Sequence, residues 1–337
     1  MVRIITVDDV KNLIRKVTLD TFYARLLEKL ETHFNLWKTY DKVSRVVTSL
    51  DNGVIELMPF WDKNYYSFKY VNGHPHNPQQ NKQTIVGIGM LADIATGYPV
   101  CISEMTLLTA LRTSATSALA MRYLARKNAK TLAIIGTGAQ SEFQVLAQKI
   151  ALNIEKVRYF DLDPQAMKKF ERNLSRYPLQ LHACQDVLSA IEGADLITTT
   201  TATKTRSHIL KDAWIRPGVT INAVGGDCHG KTELDPRILA RSKVVVEYLP
   251  QSQEEGEIQN DEATQVYAEL WELTSQQKPG RVSDDDIFIY DSVGFALEDY
   301  VILRLVYSLA EDFHVGHLLD MVPEHRDPKN LFGLLVN

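Results

Sequence analysis

The stretch TLAIIGTGAQS, Thr131 to Ser141, is what most narrows the folds open to this chain. An apolar run leads straight into Gly136, Thr137, Gly138, Ala139, Gln140 and Ser141, a G-x-G-x-x-S pattern, and helical sequence follows from about Gln140. Glycines between a strand and a helix allow a tight turn, and the backbone N–H groups of such a turn can hold a pyrophosphate. A bare glycine pattern is weak, but this context gives it weight. The next apolar run, KVRYFD, ends in Asp161. The separation 161 − 138 = 23 residues is about where the acid that takes a ribose hydroxyl belongs. A carboxylate there favours the 2′-hydroxyl of NAD over the 2′-phosphate of NADP. Asp163 is the alternative acid, and a purely structural glycine turn is the alternative reading.

From Lys130 onward, short apolar strands alternate with helical stretches: KVRYFDLD, QLHACQ, ADLITTTT, VTINAVGG, KVVVEY and DIFIYDSVG. This alternation predicts a parallel sheet covered on both faces. Ahead of it the text differs. Val10, Leu13, Ile14 and Val17, continued by Leu26, Leu27, Leu30 and Phe34, form a helical stripe, so roughly the first 35 residues are predicted helical. Arg45 to about Glu104 reads as strands punctuated by DNG, NGHPHNP and TGYP, hence a mostly antiparallel sheet. The Ala-, Ser- and Thr-rich TLLTALRTSATSALAMRYLARK is a long helix that bridges the two parts. The fold class is therefore α/β: a Rossmann-type NAD-binding domain at 119–311, and an α+β domain with a mainly antiparallel sheet at 1–118, completed by about 312–337.

Composition excludes some partners. With 337 residues, 45% of them apolar, the chain can bury a sizeable core, and a formal charge of -5 with dispersed basic residues predicts no nucleic-acid partner. No apolar run reaches membrane-helix length, and the start MVRIITVDDVKNLIRK lacks a signal peptide's apolar centre, so a cytoplasmic protein is expected. Cys101, Cys184 and Cys228 are few and widely spaced, which predicts neither a disulfide framework nor a metal cluster.

The most unusual turn is INAVGGDCHGKTEL, 221–234. A strand of the parallel sheet ends here in a cluster of polar chemistry, and ligands bind outside the carboxyl ends of such strands. Asp227 is thus a candidate for proton transfer at the nicotinamide end of the cofactor. A turn or helix-capping aspartate fits the same local sequence. Lys231 and Glu233 have turn and helix-start readings of their own.

Taken together, ELMP, YSFKYVNGHP, SEMTLLTALRTSATS, IIGTGAQSEFQ and NAVGGDCHGKTEL resemble the ornithine cyclodeaminase and mu-crystallin family, above all its bacterial cyclodeaminases. The likeness runs from about Arg45 to DSVGFALEDY. It implies Asp227 as the proton-transfer group, Arg45, Lys69 and Arg112 for the substrate α-carboxylate, and Glu56 near the distal amine. It also implies Ser292 and Val293 at the nicotinamide, with Thr84 near the cofactor. His229 stands where the bacterial enzymes commonly have proline. The implied activity is cyclisation of L-ornithine to L-proline and ammonia, NAD removing and then returning a hydride, in a homodimer formed by sheet-edge pairing. Lysine cyclodeamination, cyclic ketimine reduction, net oxidation of alanine-dehydrogenase type and a non-catalytic, crystallin-like ligand binder are the alternatives.

Overall fold

The computed structural model describes residues 1–202, 206–226, 228–259, 264–323 and 327–336, with the side chain of Arg206 left out. In chain order the first part comprises β1 (Val2–Ile5), α1 (Val7–Val17), α2 (Leu19–Asn35), β2 (Val46–Leu50), β3 (Gly53–Trp61), β4 (Tyr65–Gly73), β5 (Gly87–Asp93), β6 (Pro99–Glu104) and α3 (Thr106–Leu124). There follow β7 (Thr131–Ile135), α4 (Ser141–Leu152), β8 (Lys156–Phe160), α5 (Pro164–Leu174), β9 (Gln180–Ala183), α6 (Val187–Ile191), β10 (Leu196–Thr199), β11 (Arg206–Leu210) and β12 (Thr220–Ala223). The chain continues through β13 (Thr232–Leu234), α7 (Pro236–Ala240), β14 (Lys243–Val246), α8 (Leu249–Glu255), β15 (Val266–Glu269), α9 (Leu270–Thr274), β16 (Phe288–Asp291), α10 (Ala296–Asp312), β17 (His317–Leu319) and α11 (Gly333–Val336).

The strands form two large sheets. One has the order β17-β1-β6-β5-β4-β3-β2 and is antiparallel except where β1 runs parallel to β6. The other, β15-β14-β16-β12-β10-β7-β8-β9, is parallel throughout. The small pair β11-β13 stands apart. The mixed and parallel sheets are those expected. The N-terminal helix is not continuous, however: β1 precedes it, and Thr18, at φ 69°, breaks it into α1 and α2. Thr18 caps the second helix by accepting from the Thr21 amide at 3.3 Å, so the apolar stripe runs on across a real corner.

Register in the parallel sheet decides where the site can be. Phe160, Ile135, Thr199, Ala223, Asp291 and Val246 lie in one row across six neighbouring strands. The residues that follow them, Asp161, Gly136, Thr200, Val224, Ser292 and Glu247, therefore emerge together at the carboxyl edge. Strand order reverses between β7 and β10, which places the ligand crevice of an open α/β sheet over Gly136 and Thr200. At the opposite end Asp195 fixes this register. Its carboxylate accepts from the amides of Lys130 and Thr131 at 2.8 and 2.9 Å, and from Arg126 at 2.6 Å.

Helix α3 is buried on nearly every side from Leu108 to Met121, which suits its small residues. The hydroxyls of Ser114 and Thr116 bond back to carbonyls four residues earlier, so they are buried without loss. It packs on α2, α4 and α10, and α10 packs in turn on β3, β4 and β5. The outward face of the antiparallel sheet is apolar as well. Val46, Leu57, Tyr70 and Ile88 are cross-strand neighbours in one row and are 61%, 44%, 38% and 51% exposed. Such a sheet usually keeps one face polar. No helix among the described residues is long and apolar enough to cross a membrane.

Replacing Asp195 by alanine strands two buried-edge amides. The expected cost is about 1–3 kcal/mol, read as a lower urea midpoint with an unchanged slope.

Candidate active site

A cleft of about 250 Å³ opens where the carboxyl edge of the parallel sheet faces the inner side of the antiparallel one. Strand alternation supplies its first wall: Glu56 and Met58 on β3, and Lys69 and Val71 on β4, point inward, while Leu57 and Tyr70 point out. Arg112 and Thr109 arrive from α3. The glycine turn, the residues after β10 and β12, and Ser292–Val293 after β16 make the opposite wall. Arg45, Glu56, Lys69, Thr84, Arg112, Gly138, Ala139, Gln140, Ser292 and Val293, all predicted site residues, thus line one space.

The cations are held in place by carboxylates. Lys69 and Arg112 are 1% and 5% exposed. Asp299 of α10 pairs with Lys69 at 2.8 Å and with Arg112 at 2.9 Å, while Glu298 pairs with Arg112 at 2.6 Å. Burial and the neighbouring Arg112 together push the Lys69 ammonium down to about 8, against the pull of Asp299. Burial also works against Arg112, but Asp299 and Glu298 outweigh it and hold the guanidinium firmly charged. Arg45 pairs with Glu56 at 3.1 Å and Glu255 at 3.2 Å, and its Nη2 donates to the carbonyls of Val293 and Gly294 at 3.1 and 2.5 Å. Two predicted substrate residues are thus paired with each other, and one of them reaches the predicted nicotinamide turn.

The glycine turn is built to admit a ligand. Gly136 has φ +95°, and a Cβ there would meet the Thr200 carbonyl carbon at 2.9 Å. Gly138 faces open space. Thr137 and Ser141 are buried and serve the turn itself. Thr137 donates through its amide and hydroxyl to Asp161 at 2.5 and 3.1 Å, and Ser141 donates to the Gly138 carbonyl at 2.8 Å. The other Asp161 oxygen accepts from the Asp163 amide at 2.9 Å, and Asp163 caps α5. The Asp161 carboxylate therefore braces the loop it was predicted to work beside. Gln140 Oε1 and Thr109 Oγ1 are buried without a hydrogen-bond partner among the described residues, and both residues line the cleft. A bound polar group would satisfy them, so the cleft fits a dinucleotide with a small polar co-ligand. Among the described residues no group of three His, Cys, Asp or Glu could hold a metal ion.

Asp227 lies outside the described residues. Its neighbours in the chain, Gly225 and Cys228, line the cleft. Behind them stand two carboxylates that sequence reasoning undervalued. Glu233 belongs to β13 rather than to a helix start, is fully buried and accepts from the amide and hydroxyl of Thr201. A Cβ on Gly225 would run into it. Glu257 accepts from the amides of Glu233 and Leu234 at 2.8 and 3.0 Å, and a Cβ on Gly226 would lie 2.5 Å from it. Burial pushes Glu257 up to about 7. The paired glycines before Asp227 were the legible trace of this crowding. Lys231 lines the cleft and donates to the Thr201 carbonyl at 2.8 Å. His229 is exposed and contacts the Glu254 carbonyl at 3.4 Å.

Past Glu56 the cleft adjoins a second hollow of about 260 Å³, and Val54, Glu56, Pro75 and Cys228 line both. Asp51, His76, His229 and Glu255 form its far walls.

Comparison with known proteins bears on the fold and the family. The chain is 49% identical to an ornithine cyclodeaminase of Agrobacterium tumefaciens (strain Ach5) over 336 residues, which is 100% of this chain and 94% of that one. A solved structure described as the basis for recognition of L-lysine, L-ornithine and L-2,4-diaminobutyric acid by lysine cyclodeaminase superposes with a TM-score of 0.92 at 28% identity, covering 99% of both chains. An archaeal alanine dehydrogenase dimer with bound NAD gives 0.88 at 31% identity, covering 95% of this chain and 99% of that one. The family model for ornithine cyclodeaminase/mu-crystallin matches residues 7–313, and the chain belongs to that family.

Proposed function

We propose that this protein is an NAD-dependent, redox-neutral cyclodeaminase that converts L-ornithine to L-proline and ammonia. The full-length likeness to ornithine cyclodeaminases supports the enzyme class. The observation that carries the substrate is the cleft itself, where Arg45, Lys69 and Arg112 meet Glu56 beside an open glycine turn. That charge pattern complements a small amino acid with one carboxylate and a second amine.

The backbone of Gly136 to Ser141, with Asp161, Thr84, Ser292 and Val293, would hold the cofactor. NAD, when bound, supplies reversible two-electron oxidation at the substrate Cα. The protein's own groups govern the rest. Arg45, Lys69 and Arg112 take the α-carboxylate as a cluster of positive charge. Glu56 takes the distal ammonium. Asp227 removes a proton from it, because an ammonium has no lone pair with which to attack. Holding both ends of one molecule in a small cleft gives ring closure its entropic advantage. Closure forms the bond from the distal nitrogen to Cα, and the α-nitrogen departs as ammonia.

L-Lysine is the second reading, because the hollow beyond Glu56 leaves room for one more methylene. A second copy of the chain is the proposed cover for the exposed row Val46, Leu57, Tyr70 and Ile88.

Three outcomes test these readings. Ornithine deuterated at Cα, incubated with catalytic NAD, is expected to give proline that keeps its label while no NADH accumulates. Unlabelled proline, stoichiometric NADH, or pipecolate from lysine as the preferred product would each redirect the assignment. Asp227→Asn is expected to lower cyclisation at least about 100-fold while calorimetric NAD affinity survives. Leu57→Asp with Ile88→Asp should give a monomer by sedimentation velocity where the unaltered chain sediments as a dimer.

A further inference from the structure

The turn Ser292–Val293–Gly294 joins the two halves of the cleft, and a carboxylate with no part in the chemistry above sits beneath it. Glu247 follows β14, next to Ser292 in the row of strand ends, and is 1% exposed. Its Oε1 accepts from the hydroxyls of Tyr290 and Ser292 at 2.8 and 3.2 Å and from the Gly294 amide at 3.4 Å. Its Oε2 accepts from the Val293 amide at 3.2 Å. On the carbonyl side of the same turn, Arg45 donates to Val293 and Gly294, and Gln251 donates to Gly294 at 2.7 Å. Gly294 has φ +84°, and a Cβ there would strike Arg112 Nη1.

We propose that Glu247 is a positioning residue. It fixes the Ser292–Gly294 turn from its N–H side, so that the cofactor wall and the guanidinium groups of Arg45 and Arg112 keep one spacing. This rests on the functional reading above.

The ionised form is the one that fits. A carboxylate accepts from all four donors, whereas a carboxylic acid can turn its O–H only toward the Tyr290 or Ser292 hydroxyl, since the amides of Val293 and Gly294 cannot receive it, and so it gives up at least one of the four bonds. Glu298 from α10, Arg112 from α3, and Asp291 and Tyr290 from β16 are the charged and titratable groups around it. Burial first, and Glu298 second, raise Glu247 to about 7, against the hydrogen bonds of Tyr290 and Val293. A raised carboxyl pKa means that the turn is fully held above that pH and loosens as pH falls through it.

The test follows kcat/KM for ornithine and calorimetric NAD affinity across neutral pH in the unaltered enzyme, Glu247→Gln and Tyr290→Phe. In the unaltered enzyme both quantities are expected to fall on the acid side with a midpoint near 7. Glu247→Gln is expected to lose that limb and, at alkaline pH, to lose about 10- to 100-fold in kcat/KM, the range for a charged hydrogen bond. Tyr290→Phe keeps the shape of the core but removes the shortest donor to Glu247, so its limb moves to higher pH. This variant decides the matter should Glu247→Gln fail to fold. An unshifted limb in Tyr290→Phe, or a uniform loss in Glu247→Gln with the limb intact, overturns the positioning role. Normal pH dependence of NAD affinity without proline formation sinks the cyclodeaminase reading and leaves Glu247 in place, and absence of NAD binding sinks both.

Discussion

Two buried cations, Lys69 and Arg112, could not remain in this fold without the acidic pair at the start of α10. Removing an ion from water costs several kcal/mol even after the protein relaxes, and breaking a buried pair leaves that cost uncompensated. Glu298 and Asp299 meet both cations at 2.6 to 2.9 Å, and Asp299 serves the two at once. Because α10 begins directly after the Ser292–Gly294 turn, neutralising Lys69 of β4 and Arg112 of α3 also determines where the last strand of the parallel sheet delivers that turn. The arrangement of the cleft is to that extent an electrostatic consequence. Glu298 also accepts the Phe295 amide at 3.1 Å, so the same carboxylate closes the helix it starts.

Much of the parallel sheet was legible because its strands are short apolar runs that end in Gly, Thr or Asp. β7, β8, β10 and β16 end where those signals stand, and β12 ends two residues before Gly225. What escaped was short or dependent on a distant partner. β1, β13 and β17 span three or four residues, too few for any periodicity, and exist because an edge elsewhere offers them hydrogen bonds. Thr18 escaped because an apolar stripe can continue through a corner. The charged site residues come from four separate segments, and nothing in their spacing announces that Arg45, Glu56, Lys69 and Arg112 converge. Only the likeness of whole motifs brought them together beforehand. Asp161 could be read as a ligand acid, but its grip on the Thr137 amide is a tertiary fact. Glu247 left a fainter trace, a charged residue directly after the apolar run of KVVVEY and in register with Ser292.

The glycine pair Gly225–Gly226 illustrates the difference between a motif and its cause. In sequence the pair suggests turn freedom. In the structure neither residue has positive φ, and what excludes a side chain is the approach of Glu233 and Glu257. A glycine can thus mark a carboxylate behind the backbone rather than a bend in it. Asp291 extends this acidic layer, accepting from the Glu257 amide at 2.9 Å, and burial followed by the nearby Glu257 raises it well above the usual carboxylate range. Buried carboxylates close to one another favour holding protons in common rather than ionising together.

A reaction that oxidises a carbon and later reduces it at the same site asks something unusual of its scaffold. Cofactor and substrate must keep their relative position while a bond forms and ammonia leaves between the two redox events. In the proposed cyclodeaminase the turn Ser292–Gly294 meets this demand, because its N–H groups, its carbonyls and its glycine face are each occupied by a different partner: Glu247, Arg45 and Arg112. A dehydrogenase that releases its reduced cofactor has less need of such a tie. Small displacements of reacting atoms cost rate steeply, and a turn restrained from three sides is displaced only if a buried charge is displaced with it.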